Sequence, residues 1–143
     1  MNRGVSLLEM IVVLLILGIL AGAAVPTLGS LRDRYAVQAA AADIAGAHNR
    51  ARIRAVLEGK VTELEIRADS LILRVRSSGG PTMVWSTPGP QAAGIAFTSP
   101  PRTLAFAPTG VTMGFSNASF VLTKNSARRQ VVVSRLGRVR VIP

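Results

Sequence analysis

The chain has 143 residues, enough for one modest domain, and carries 17 Lys and Arg against 7 Asp and Glu, a net charge of +10. It contains no cysteine and one histidine, which excludes a disulfide-stapled scaffold and thiolate chemistry. Of the basic residues only Lys60 and Lys124 are lysine, and arginine favours planar, bidentate contacts to phosphate or carboxylate.

The first element is an apolar run. Between Val5 and Ala24 the only charged residue is Glu9. About 20 apolar residues cross a hydrocarbon core, so residues 5–25 read as the transmembrane part of a first helix. A carboxylate inside a bilayer costs at least ~2.5 kcal/mol. Glu9 is therefore a functional candidate in need of a cationic partner, and the nearest is the amine that cleavage behind Gly4 would create at Val5. An ordinary secretory signal would end in small residues, as Ala21-Gly22-Ala23-Ala24 does, but would not place Glu9 within its core or Gly4 before it. Arg3 lies on one side of the run and Arg32 and Arg34 on the other, so charge counting leaves the orientation open.

Helical spacing continues to about Leu57. Pro26 is expected to kink the helix, because proline removes a backbone donor and clashes with the preceding turn. Residues 26–58 read as a soluble amphipathic stretch. Its stripe is Leu28, Leu31, Tyr35, Ala39, Ala42, Gly46, Ile53 and Val56, with Arg32, Arg34, Arg50, Arg52 and Arg54 mostly off it. Gly59 is a good C-terminal cap.

From Gly59 to Pro143 the period alternates, as in a β-rich domain. Strands are expected at 60–67, 70–77, 82–87, 95–98, 104–106, 111–115, 118–123, 129–134 and 138–142, with a tight turn at Ala68-Asp69. Within the second, Leu71, Leu73 and Val75 share a face opposite Ile72, Arg74 and Arg76. Trp85 and the four phenylalanines are core candidates.

Catalysis has little support. His48 lies in a helical stretch without an acid at helical spacing, and reads as a packed or solvated residue. There is no metal-ligand cluster, no phosphate loop and no nucleophile elbow. No cofactor is expected, and the chain does not read as an enzyme. The sharper candidate is C-terminal: Arg128, Arg129, Arg135, Arg138 and Arg140 fall within the last 16 residues. Arg138 and Arg140 would share one strand face, about 6.7 Å apart, with Val139 and Val141 turned to the core. Such a pair can hold successive phosphates of double-stranded DNA. The competing reading is a solvated outer face.

The start, Arg3-Gly4-Val5-Ser6-Leu7-Leu8-Glu9, resembles the class III signal of type IV pilins and pseudopilins, with Gly4 ending the leader (residues 1–4), Val5 first in the mature chain and Glu9 fifth. Val5 stands where that family usually has Phe or Met. Three further segments are similar to the GspH/FimT family of minor pilins: Asn49-Arg50-Ala51-Arg52 in the Ala-rich helix, Phe106-Ala107-Pro108-Thr109-Gly110, and the ending from Val131 to Arg140. The resemblance implies an α+β, pilin-like fold, with a long N-terminal membrane-spanning helix packed on a C-terminal antiparallel β domain. It also implies cleavage by prepilin peptidase, methylation of Val5 and a single pass through the bacterial inner membrane with a periplasmic C-terminal domain. The filament joined with other pilins would be a type II secretion pseudopilus or a type IV pilus. In such filaments the glutamate attracts a neighbour's terminal amine. Gly137-Arg138-Val139-Arg140 resembles a Gly-Arg-x-Arg motif of DNA-binding FimT-type minor pilins, which implies an alternative role in DNA uptake.

Overall fold

The computed structural model describes residues 6–114, 117–134 and 136–143, and leaves the side chains of 23–27 outside that description. One helix, α1 (Leu7–Glu58), precedes the strands β1 (Thr62–Ile66), β2 (Ser70–Ser77), β3 (Gly80–Pro88), β4 (Ala96–Phe97), β5 (Arg102–Phe106), β6 (Thr112–Met113), β7 (Ala118–Lys124), β8 (Ala127–Val133) and β9 (Val139–Ile142). The chain divides into two compact units, Met1–Arg32 and Asp33–Pro143.

In the first unit the helix is apolar on every side. Leu7, Leu8, Met10 to Leu17, Ile19 and Leu20 are all exposed. Such a surface is stable in lipid or against other apolar helices, not in water. Among the described residues no helix is long and apolar enough to cross a membrane; in sequence the apolar run continues to Ala24 and Val25, whose side chains are outside the description. Pro26, where a kink was expected, also lies outside the described side chains.

The second unit packs the remainder of α1 on two antiparallel sheets, one in the order β3-β2-β1-β5-β6 and the other β4-β7-β8-β9. A single buried cluster joins Val37, Ile44 and Ala51 of α1 to Leu64, Leu73 and Phe106 of the first sheet and Phe120, Leu122 and Val131 of the second. Alternation sets the inner faces: Leu71, Leu73 and Val75 are buried in β2, as their spacing predicts. The turn at Ala68-Asp69 pairs β1 with β2 in register Leu64↔Leu73. Gly59, at φ +61°, ends the helix in the left-handed conformation that favours glycine.

The packed face of α1 corrects the expected stripe. Leu28, Leu31, Tyr35, Ile53 and Val56 are exposed, as are Ala39, Ala42 and Gly46. The buried positions are Val37, Ala40, Ala41, Ile44, Ala47, His48, Ala51 and Ala55, an equally good helical repeat built mostly from alanine. Alanine lets the helix axis approach the sheets closely, and the bulkier residues are left outside.

Other details differ from the expected strands and core. Residues 90–93 form a short 3-10 turn, Pro90–Ala93. β3 starts at Gly80, two residues before the expected strand at 82–87. Phe106 and Phe120 are fully buried, whereas Trp85 and Phe97 are only partly so and Phe115 lies outside the described residues.

Candidate functional site

Two regions carry the sequence candidates: the helix N-terminus and the second sheet. Glu9 stands in the first turn of α1, where a negative charge is favoured by the helix dipole. It is exposed and has no ion pair among the described residues. Gly4 and Val5, the processing candidates, lie outside the described residues.

The C-terminal arginines do not converge. β7 pairs with β8 (Thr123↔Arg128, Leu122↔Arg129) and β8 with the edge strand β9 (Val132↔Arg140, Val131↔Val141). Arg128 and Arg140 therefore share the outer face, but four β8 positions separate them, about 14 Å along the strand. Arg129 lies on the inner face and is fastened to the helix, its Nε donating to Gln38 Oε1 at 2.9 Å. Arg138 is exposed, and its backbone N–H donates to Ser134 Oγ at 3.1 Å in the β8–β9 turn. Arg135 is outside the described residues. The turn requires Gly137, whose φ is +76° and whose added Cβ would meet Thr112 Cγ2 at 3.0 Å. One expectation fails here. Val139 packs on the core, but Val141 is 37% exposed, because β9 is the sheet edge with nothing beyond it to cover the position.

Elsewhere charge is compensated. On the first sheet the Glu65 carboxylate accepts from Arg74 and Arg67, each at 2.5 Å, and Glu63 accepts from Arg76. The Arg74 guanidinium holds the Glu65 carboxyl below its ordinary value; burial works against this and Arg67 reinforces it. Glu58 pairs with Arg54 at 2.6 Å. These glutamates are thus paired.

His48, which reads from sequence as packed or solvated, is packed. It is 1% exposed, lies edge-on to Phe106 at 5.0 Å between ring centroids, and neither ring nitrogen has a hydrogen-bond partner among the described residues. Burial lowers its pKa from 6.5; the Asn49 side chain offsets part of this and Arg52 adds to it. No acid lies at helical spacing from it, and the only signal of its burial was the alanine repeat around it. Among the described residues no group of three His, Cys, Asp or Glu is placed to hold a metal ion.

A long N-terminal helix laid on antiparallel sheets, with an apolar first half bearing one carboxylate, defines a pilin-like subunit. The type IV minor pilin FimU of Pseudomonas aeruginosa has this fold: in two crystal forms it matches with TM-scores of 0.63 and 0.57 at 21% and 19% identity, covering 79% and 74% of this chain and 92% of FimU. The pilin-like protein PilA1 of Thermus thermophilus is 31% identical over 158 aligned positions, covering 98% of each chain. The family described as type II transport protein GspH matches residues 40–137, and the prokaryotic N-terminal methylation motif matches residues 1–25. The chain belongs to the GspH family of type II pseudopilins and minor pilin-like proteins. Its members are structural, non-enzymatic subunits, and the methylation motif implies a membrane-anchored pilin.

Proposed function

We propose that this protein is cleaved between Gly4 and Val5, anchored in the inner membrane through residues 5–25, and built into a filament by a contact between Glu9 and the terminal amine of a neighbouring Val5. The observation that carries this is Glu9 itself, an exposed carboxylate without an ion pair in an otherwise apolar run that matches the methylation motif. A charge so placed is retained only if something neutralises it, and within one chain nothing described does. The domain that follows is the periplasmic part, carried by the helix and held clear of turnover chemistry. The test is Glu9→Ala. Insertion should be intact, since the helix becomes more apolar, while incorporation into filaments should fall sharply. Normal incorporation would refute the contact.

A second reading, that the chain also binds DNA, is favoured by one observation. Arg138 and Arg140 are exposed at the edge of the second sheet and have no ion pair among the described residues. Two such guanidinium groups suit adjacent phosphates, giving salt-sensitive and sequence-independent binding. Pseudopilus or pilus membership and DNA uptake are compatible roles for one subunit.

A further inference from the structure

Where α1 runs beside the edge strand β3 there is a recess of about 200 Å³. Its floor is made of the small residues Ala42, Gly46 and Ala47, and a Cβ added at Gly46 would meet nothing within 4 Å. Trp85 and Thr87 form one wall. Trp85 stands opposite Leu73 and Thr87 opposite Leu71, both buried, so alternation turns the two side chains to the helix side of the sheet. Asp43 and Arg50 of α1 complete the recess, two helical turns apart or about 10 Å along the axis. The Arg50 guanidinium lies over the Trp85 ring at 4.8 Å from its centroid, which holds its plane and its donors in place. Asp43 is differently placed from the other carboxylates of the second unit. Asp33 accepts from Asn125, Asp69 from Ser70, and Glu58, Glu63 and Glu65 from arginines. Asp43 has neither a hydrogen bond nor an ion pair among the described residues, and Arg50 has no ion pair among them.

We propose that this recess binds one ring of a neutral sugar. Its charges balance, one carboxylate against one guanidinium, in a chain that is otherwise strongly basic. An anion would meet Asp43 and a cation would meet Arg50, whereas an uncharged ligand rich in hydroxyls satisfies both. Adjacent hydroxyls of a sugar donate to the two carboxylate oxygens of Asp43, its oxygens accept from the fixed guanidinium of Arg50, and the Thr87 hydroxyl serves either way. The volume is below the ~300–1,000 Å³ of sites for drug-sized ligands, so a single ring enters and the rest of a glycan stays in solvent. The proposal stands on the second unit alone and does not depend on anchoring or filament assembly.

The test uses the full-length protein in a sugar-free amine-oxide detergent, titrated with cellobiose, maltose and diacetylchitobiose. The reporter is Trp85, the only tryptophan and itself a wall of the recess. At least one of the three should change its emission saturably, with a dissociation constant on the order of 1 mM. Asp43→Asn should weaken that binding roughly tenfold, because charge-assisted hydrogen bonds become neutral ones. Gly46→Gln should abolish it: a helical side chain covers the turn N-terminal to its own Cα, here Ala42 and Asp43, and glutamine favours the helix over glycine. Unchanged far-ultraviolet circular dichroism confirms that this variant is folded. Glu63→Gln, which removes the same charge on the outer face of the first sheet, should change binding less than about twofold. Saturation by none of the three sugars up to roughly 30 mM would overturn the proposal. So would binding that survives Gly46→Gln, equal loss in Asp43→Asn and Glu63→Gln, or an equal response to glycine, which marks a site for zwitterions.

Discussion

Acidification from pH 7 to pH 5 should destabilise this protein through one residue. His48 is the only histidine; Asp and Glu titrate near ~4 and a terminal amine near ~8, so the interval belongs to His48. In the fold its ring is 1% exposed with both nitrogens unpartnered, and its pKa is lowered from 6.5. The unfolded chain therefore binds more protons than the folded chain below pH 6.5, and stability falls as pH falls from there to the depressed folded value. The slope approaches about 1.4 kcal/mol per pH unit while the folded ring stays neutral. Above pH 7 the effect is absent. His48→Leu should remove it. The variant forfeits an edge-on contact with Phe106 worth about 0.5–1.5 kcal/mol, but relieves two unsatisfied buried nitrogens that cost about 1–3 kcal/mol. The net at pH 7 is a gain of about 1 kcal/mol. The assay is urea denaturation of the full-length protein in detergent, followed by the fluorescence of Trp85, the only tryptophan, which packs partly on the core beneath Arg50. A wild type as flat as His48→Leu between pH 7 and pH 5 would refute the burial argument. So would a variant less stable by more than about 2 kcal/mol at pH 7.

Two further predictions follow from geometry. Gly89→Ala should destabilise by about 3 kcal/mol, since its Cβ would lie 2.5 Å from the Ala68 carbonyl oxygen and the Ser70 nitrogen, backbone atoms of the β1–β2 turn that cannot swing aside; unchanged urea midpoints would show that the turn yields. The pair Arg138→Ala, Arg140→Ala should weaken binding to double-stranded DNA and lower the salt slope by about 0.9 for each lost phosphate contact, measured by fluorescence anisotropy beside the pair Arg50→Ala, Arg54→Ala; equal losses in both would reduce the effect to general charge attraction.

The fold was legible where the sequence alternates or repeats with bulky residues. β2 falls at Ser70–Ser77 as its alternation requires, and the helix ends one residue past its expected limit, before Gly59. The packed face of the helix was not legible, because hydrophobicity scales rank Leu28, Leu31 and Ile53 above the alanines that the sheets cover. Which of two apolar faces is buried depends on the sheets, not on the helix. The arginine cluster was legible as charge but not as geometry. Strand pairing sends Arg129 inward to Gln38 and separates Arg128 from Arg140. The spacing of Gly4, Val5 and Glu9 carries the family signal without any tertiary information, and the methylation motif falls on those residues.

That spacing also makes the central claim directly measurable. Intact-mass and N-terminal peptide analysis of the protein purified from membranes of its native cells should find Val5 as the first residue, carrying one added methyl group on its amine. A chain still beginning at Met1, or one beginning near Val25 after conventional signal cleavage, would contradict the account of this protein as a processed, membrane-anchored pilin subunit.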